Sequence, residues 1–212
     1  MERRKIALLI LFAILLTLLL AFISKGGKAM EKDICPKYPT VEPEWRQMTY
    51  DEFANLVVSK IPDDVELAMV CVATAIAEQT KDGKLLFPGN NPFGVTLQPV
   101  NSYTTGCYSA WGSKYIDGKY RAWSSEEKRY EWYVYFSSLG RAIDFFRYHG
   151  RRKLDRFRDR FGTRVHDAHT FALWYVWYWL GSKNESDANM KYNQKKNLLY
   201  YAWNQTAILF SL

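Results

Sequence analysis

Ala73-Thr74-Ala75-Ile76-Ala77-Glu78-Gln79-Thr80 and, after the loop 81–89, Asn90-Asn91-Pro92-Phe93-Gly94-Val95 are the residues on which the reading of this chain turns. An apolar helix ends on a single carboxylate, Glu78. A glycine-containing loop follows, and then an Asn pair and a Phe-Gly turn. A carboxylate at the mouth of an apolar helix is partly desolvated. Desolvation favours its protonated form, which is what a general acid needs near neutral pH. The plain alternative is an ordinary surface acid at a helix end. Asn90 and Asn91 suit amides that fix the turn by bonding backbone, or that orient a sugar acetamide. Gly94 suits a turn with positive φ or a close approach of backbone to ligand.

A helix ending in Glu and followed by Asn-Asn-x-Phe-Gly-Val resembles the lysozyme-like glucosaminidases that cut bacterial cell-wall glycan. That family shows a small residue, Leu and Glu at the helix end, then Asn-Asn-Leu-Phe-Gly-Ile. Here Ala77-Glu78 and Asn90 to Val95 match, with Pro92 in place of Leu. The similarity runs over residues 50–205. Asp117-Gly118 looks like the family's hairpin turn. Trp132-Tyr133-Val134-Tyr135-Phe136-Ser137-Ser138 looks like its aromatic-Tyr-Ser element, and Ala142-Ile143-Asp144-Phe145 like the helix after it. Trp179-Leu180-Gly181-Ser182-Lys183 and Tyr192-Asn193-Gln194-Lys195 are similar to its C-terminal pattern, with an insertion.

The resemblance implies a mainly α (α+β) domain, with a helical lobe, a small β-hairpin lobe and a cleft between them. It implies cleavage of a β-1,4 bond of peptidoglycan on the N-acetylglucosaminyl side. Glu78 maps to the general acid and Tyr135 to the cleft tyrosine. Asn90, Asn91, Phe93, Gly94 and Tyr115 map to substrate binding. The family often carries a second carboxylate just before an aromatic on the hairpin's first strand. Lys114 stands at that place here, with Asp117, Glu126 and Glu127 as nearby substitutes. A lytic transglycosylase needs only one acid/base, so it is the near alternative. A non-catalytic wall-binding or assembly protein on the same fold is another. A basic, membrane-tethered module without sugar chemistry is the third. No cofactor or metal is expected; His166 and His169 are three apart, with no third ligand near them in sequence.

Ile6 to Ile23 is an uncharged apolar run, long enough for a hydrocarbon core of about 30 Å. Arg3, Arg4 and Lys5 precede it, so residues 1–5 are expected in the cytoplasm and 6–23 as a transmembrane signal anchor. The domain would then lie on the periplasmic or extracellular side of the cytoplasmic membrane. A cleaved signal peptide is the alternative, although Gly27-Lys28-Ala29 is a poor cleavage site. Residues 24–48 read as a Pro-containing linker, and 49–212 as the domain. The net charge is +7, which favours anionic partners: peptidoglycan, lipid head groups, proteins of an envelope assembly. Nucleic acid is not expected outside the cytoplasm. Of the three cysteines, Cys71 is expected as a buried thiol and Cys35 with Cys107 as a pair.

Thr49 and Glu52 have capping-box spacing and open a helix to about Lys60. Pro62-Asp63-Asp64 begins the next, with Val65, Met69, Val72 and Ile76 as its apolar stripe. Lys81 to Gly89 reads as loop, and Tyr115 to Tyr120 as a hairpin turning at Asp117-Gly118. Trp132 to Phe136 reads as strand. Ser137-Ser138 caps a helix to Tyr148, and a basic helix with internal ion pairs spans Arg151 to Phe161. His149 is expected at a helix end. Phe171 to Leu180 reads as a core helix, and Ser186-Asp187 opens the last, Ala188 to Ile208.

Overall fold

The computed structural model describes residues 38–99, 108–109, 113–124 and 128–211. The chain divides into two units. Of the first, residues 1–37 with 99–109, only Pro99, Tyr108 and Ser109 are described. The second, residues 38–98 with 110–212, is mainly helical with a small β part and holds everything below.

Helix α1 (Tyr50–Lys60) starts on the expected capping box. The Glu52 N–H donates to Thr49 Oγ1 at 3.2 Å, and the Thr49 N–H donates back to the Glu52 carboxylate at 2.8 Å. Helix α2 (Val65–Gln79) is capped by Asp64, whose Oδ1 accepts from Leu67 N–H at 3.0 Å. Its Oδ2 takes Arg151 of the long helix α3 (Leu139–Phe161) at 2.9 Å. From Leu67 to Ile76 nearly every side chain is buried, because α1, α3 and the last helix, α5 (Glu185–Phe210), all pack on α2. The single stripe expected from Val65 and Met69 is therefore wrong in detail. Val65 is 62% exposed at the first turn, Met69 is half-buried, and Ala73, Thr74 and Ala75 face neighbours instead. A helix buried all round needs small residues where others cross it, and an apolar stripe does not describe it.

The span 81–89 is not a loop. Strands β2 (Thr80–Lys81) and β3 (Lys84–Pro88) pair across Asp82-Gly83, whose φ of 52° and 74° make the two-residue turn that matches strand twist. Leu85 and Phe87 alternate into the core. Strand β1 (Trp45–Met48) completes a three-stranded antiparallel sheet on the other edge of β3. The expected linker thus ends earlier than residue 48. Val41 N–H already donates to Lys119 O at 2.8 Å, and Lys119 N–H to Pro39 O at 2.9 Å.

The second hairpin is larger than expected and turns elsewhere. Strands β4 (Gly118–Ser124) and β5 (Arg129–Tyr135) pair from Gly118 opposite Tyr135 to Ser124 opposite Arg129. Ser124 opposite Arg129 is the pair at one end of the ladder, while Asp117-Gly118 lies at the other end. Gly118 is small for packing: a Cβ would meet Val41 Cγ2 at 2.9 Å and Pro39 O at 3.0 Å. Tyr115 precedes it in a 3-10 turn, Ser113–Tyr115.

Helix α3 is capped by Ser138 as expected, but it runs unbroken through Gly150 to the left-handed Gly162. Gly150 marks a close approach: a Cβ would lie 2.8 Å from Phe146 Cε1 and 3.0 Å from Leu67 Cδ1. His149 therefore sits mid-helix and buried, not at an end. The basic face pairs within the helix (Arg158 to Asp155) and with the start of α2 (Arg151 to Asp64, Arg158 to Glu66). Helix α4 (Ala168–Trp174), capped by Asp167, passes into a π-helical turn, Tyr175–Trp179. Helix α5 is capped by Asn184, ahead of the expected Ser186-Asp187.

Among the described residues no helix is long and apolar enough to cross a membrane. The expected anchor at 6–23, most of the linker, Cys35, Cys107, Glu126 and Glu127 lie outside them. Cys71 is a buried free thiol, and burial pushes its pKa well up.

Candidate active site

Glu78 lies in the last turn of α2, where the helix leaves the core and its side chains become half-buried. One carboxylate oxygen, Oε1, accepts from the Tyr175 hydroxyl and from the Trp179 indole N–H, the latter at 3.0 Å. Tyr175 and Trp179 are four residues apart in the π-helical turn. Such turns insert a residue into the helical ladder and recur at functional sites. Here the turn is closed by Leu180 N–H donating to Tyr175 O at 2.9 Å. The Trp179 ring rests on Phe146 (centroids 5.2 Å apart) and Phe93 (6.2 Å). The Lys153 ammonium stands 4.5 Å from its centroid. Burial, with help from the Arg156 charge, pushes the Lys153 pKa down to about 8.

The other oxygen, Oε2, faces Gly94. That glycine has φ of 59°, and a Cβ on it would sit 3.0 Å from Oε2 and 3.4 Å from Gln79 Nε2. Both the positive φ and the close approach require glycine, as expected. The Asn pair holds it there. Asn91 is fully buried; its amide donates to Val95 O at 3.0 Å and accepts from Val95 N–H at 3.1 Å. Asn90, with φ of 52°, donates to Phe136 O at 2.8 Å, and Phe136 N–H donates to Gly89 O at 3.1 Å. Of the two roles expected for the pair, the structure gives the backbone-fixing one.

The remaining expected residues separate. Phe93 is 1% exposed, packed between Phe53 and Phe146. Its ring supports Trp179 and is not presented to a ligand, which corrects its assignment to substrate binding. Tyr135 ends β5 beside the Asn turn, its ring close against Gly89 and Gly118. Tyr115 packs with Tyr148 of α3, ring centroids 6.0 Å apart, with the Lys114 ammonium about equally near both rings. Asp117 is an anchor. Its Oδ2 accepts from Ser137 N–H at 2.9 Å, Ser137 Oγ at 2.8 Å and Arg141 Nε at 2.7 Å. His166 Nδ1 meets Arg164 O and His169 Nδ1 meets the Tyr192 hydroxyl. Among the described residues no group of three or more His, Cys, Asp or Glu is placed for a metal.

Tyr175, Trp179 and Lys153 were not legible as site residues. The only signal for the first two is polar-tipped rings four apart in the aromatic run from Phe171 to Leu180, since a buried Tyr or Trp needs a partner for its polar atom.

Comparison of the chain with protein-family models, curated proteins and solved structures yields no match. The chemistry of the site therefore stands on its geometry. It is one carboxylate, aromatic-walled, with one oxygen engaged by two rigid donors and the other beside a glycine backbone. Such a group can deliver or take one proton at a defined atom.

Proposed function

We propose that the chain is a lysozyme-like glycan-cleaving enzyme that breaks β-1,4 bonds of peptidoglycan on the N-acetylglucosaminyl side, with Glu78 as general acid. The observation that carries this reading is the hold on Glu78 Oε1 by Tyr175 and Trp179. Trp179 N–H can only donate, so the proton of the acid form belongs on Oε2. Oε2–H protonates the glycosidic oxygen as the bond from that oxygen to C1 breaks. Positive charge then spreads over C1 and the ring oxygen, and the new Glu78 carboxylate faces it; in hydrolysis a water oxygen bonds to C1, giving the reducing end, and the water's proton returns to Glu78. Tyr135 and the backbone held by Asn90 and Asn91 border the sugar. The order of the elements, an acid-bearing helix, a β hairpin and then helices, supports the lysozyme-like assignment. The placement of the domain outside the cytoplasmic membrane rests on the apolar run 6–23 and the basic residues before it.

A second reading is favoured by Asp117. A carboxylate held by Arg141 and Ser137 is poorly placed to activate water. In a lytic transglycosylase the sugar's own C6 hydroxyl closes on C1. The O6–C1 bond forms, the bond from C1 to the leaving oxygen breaks, and the O6 proton returns to Glu78. Digesting purified peptidoglycan with wild type and with Glu78→Gln, and weighing the fragments by mass spectrometry, tests both. Hydrolysis leaves reducing ends, and transglycosylation leaves anhydro ends lacking one water. Fragments absent from both proteins would sink the enzymatic reading.

A further inference from the structure

Toward its tip, the β4–β5 hairpin carries a face with no role in holding Glu78. Register puts Arg121 opposite Trp132 and Trp123 opposite Tyr130, and residues opposite each other share a face. Trp123 is 57% and Tyr130 60% exposed. These side chains are organised: Trp123 meets Tyr130 edge-on at 5.3 Å, the Arg121 guanidinium lies 5.3 Å from the Tyr130 ring, and the Lys119 ammonium 4.6 Å from that of Trp132. The one carboxylate among the described residues of the two strands, Glu131, falls on the opposite face, bonded to Arg129.

The geometry points to this face as a second binding surface for a glycan strand that bears carboxylate or phosphate groups, apart from Glu78. It takes the polymer class of the proposed reaction and so rests on that reading for its substrate. Exposed ring faces suit the apolar faces of pyranose rings, and the interleaved cations suit anionic substituents. Alternate strand positions repeat every ~7 Å along the face, so an extended polymer can meet the rings and cations in turn. An anionic bilayer fits less well. It presents a continuous surface, without sugar rings spaced along a strand to meet Trp123 and Tyr130 in turn.

The test is sedimentation of full-length protein in detergent with insoluble peptidoglycan, all variants in a Glu78→Gln background so that the polymer stays intact. Peptidoglycan with amidated carboxylates and vesicles of anionic phospholipid serve as further probes. Trp123→Ala with Tyr130→Ala is expected to weaken peptidoglycan binding about tenfold. Arg121→Gln, a milder change at an exposed site, is expected to weaken it less and to blunt both the salt dependence and the preference for unamidated polymer. Trp45→Ala removes an exposed ring on β1 and is expected to change nothing. Unchanged peptidoglycan binding in the hairpin variants overturns the proposal. Loss of vesicle binding with peptidoglycan binding kept also overturns it, in favour of a membrane surface. If protein with Glu78 intact releases no fragments but binding still depends on Trp123 and Tyr130, the catalytic reading falls and this surface stands. If fragments are released and the hairpin variants bind normally, only this surface falls.

Discussion

Glu78 has Oε1 already engaged, and the donors that engage it, Tyr175 and Trp179, come from a different part of the chain. A hydrogen bond to a charged group is worth about 1.5–3 kcal/mol. Replacing Trp179 by Phe keeps the ring on Phe93 and Phe146 and removes only the N–H. We expect Trp179→Phe to lower kcat/KM about tenfold to a hundredfold with near-normal folding; an unchanged rate would mean that the indole merely packs. His149 gives a second residue-scale prediction. Its ring lies buried against Phe145, and one nitrogen, Nε2, has no hydrogen-bond partner among the described residues. Burial, then the charges of Lys153 and Arg152, push its pKa down to about 4 from the ordinary 6.5. Between these values the unfolded chain binds the proton and the folded chain does not. Stability is therefore full above about pH 6.5 and is lost as pH falls toward 4. Urea midpoints measured between pH 7 and 5 should fall for wild type and fall less for His149→Leu. At this scale the sequence carried the helix-end position of Glu78 and the positive φ of Gly94, because a lone acid and a lone glycine are read from local context. Tyr175, Trp179 and Lys153 were hidden, because what they touch is set by tertiary packing.

Two Asp-Gly pairs illustrate what is legible at the scale of elements. Asp82-Gly83 makes a two-residue hairpin turn; Asp117-Gly118 sits at a strand foot, with Asp117 bonded to Ser137 and Arg141. The dipeptide is the same in both. What separates them is the pairing partner, β3 in one case and β5 in the other, which local sequence does not name. The capping box at Thr49 and the cap at Ser138 were readable because each is complete within four residues. Gly150 reads as a break only until its neighbours are known, since Phe146 and Leu67 crowd the position where a Cβ would be. Gly150→Ala should gain up to about 1 kcal/mol in helix propensity, against about 1–3 kcal/mol for overpacking. The clash wins, so we expect a lower melting temperature. A higher one, read by circular dichroism, would show that Phe146 and Leu67 move aside cheaply.

At the scale of the whole molecule, the helical majority and a strand near Trp132–Phe136 were visible in the order of apolar periods and caps, whereas the partner of that strand and the place of the turn were not. The strand at Trp45–Met48 was not, because a four-residue edge strand among prolines looks like linker until β3 is there to pair with it. In the proposed reaction Glu78 protonates the departing sugar oxygen. The direct measurement compares Glu78→Gln with wild type on two substrates, a natural β-1,4 glycan and an aryl glycoside whose phenolic leaving group needs no proton. Loss of a general acid should cost about 10²–10⁴-fold on the glycan and far less on the aryl glycoside. Equal losses on both substrates, or no loss on the glycan, would contradict that role.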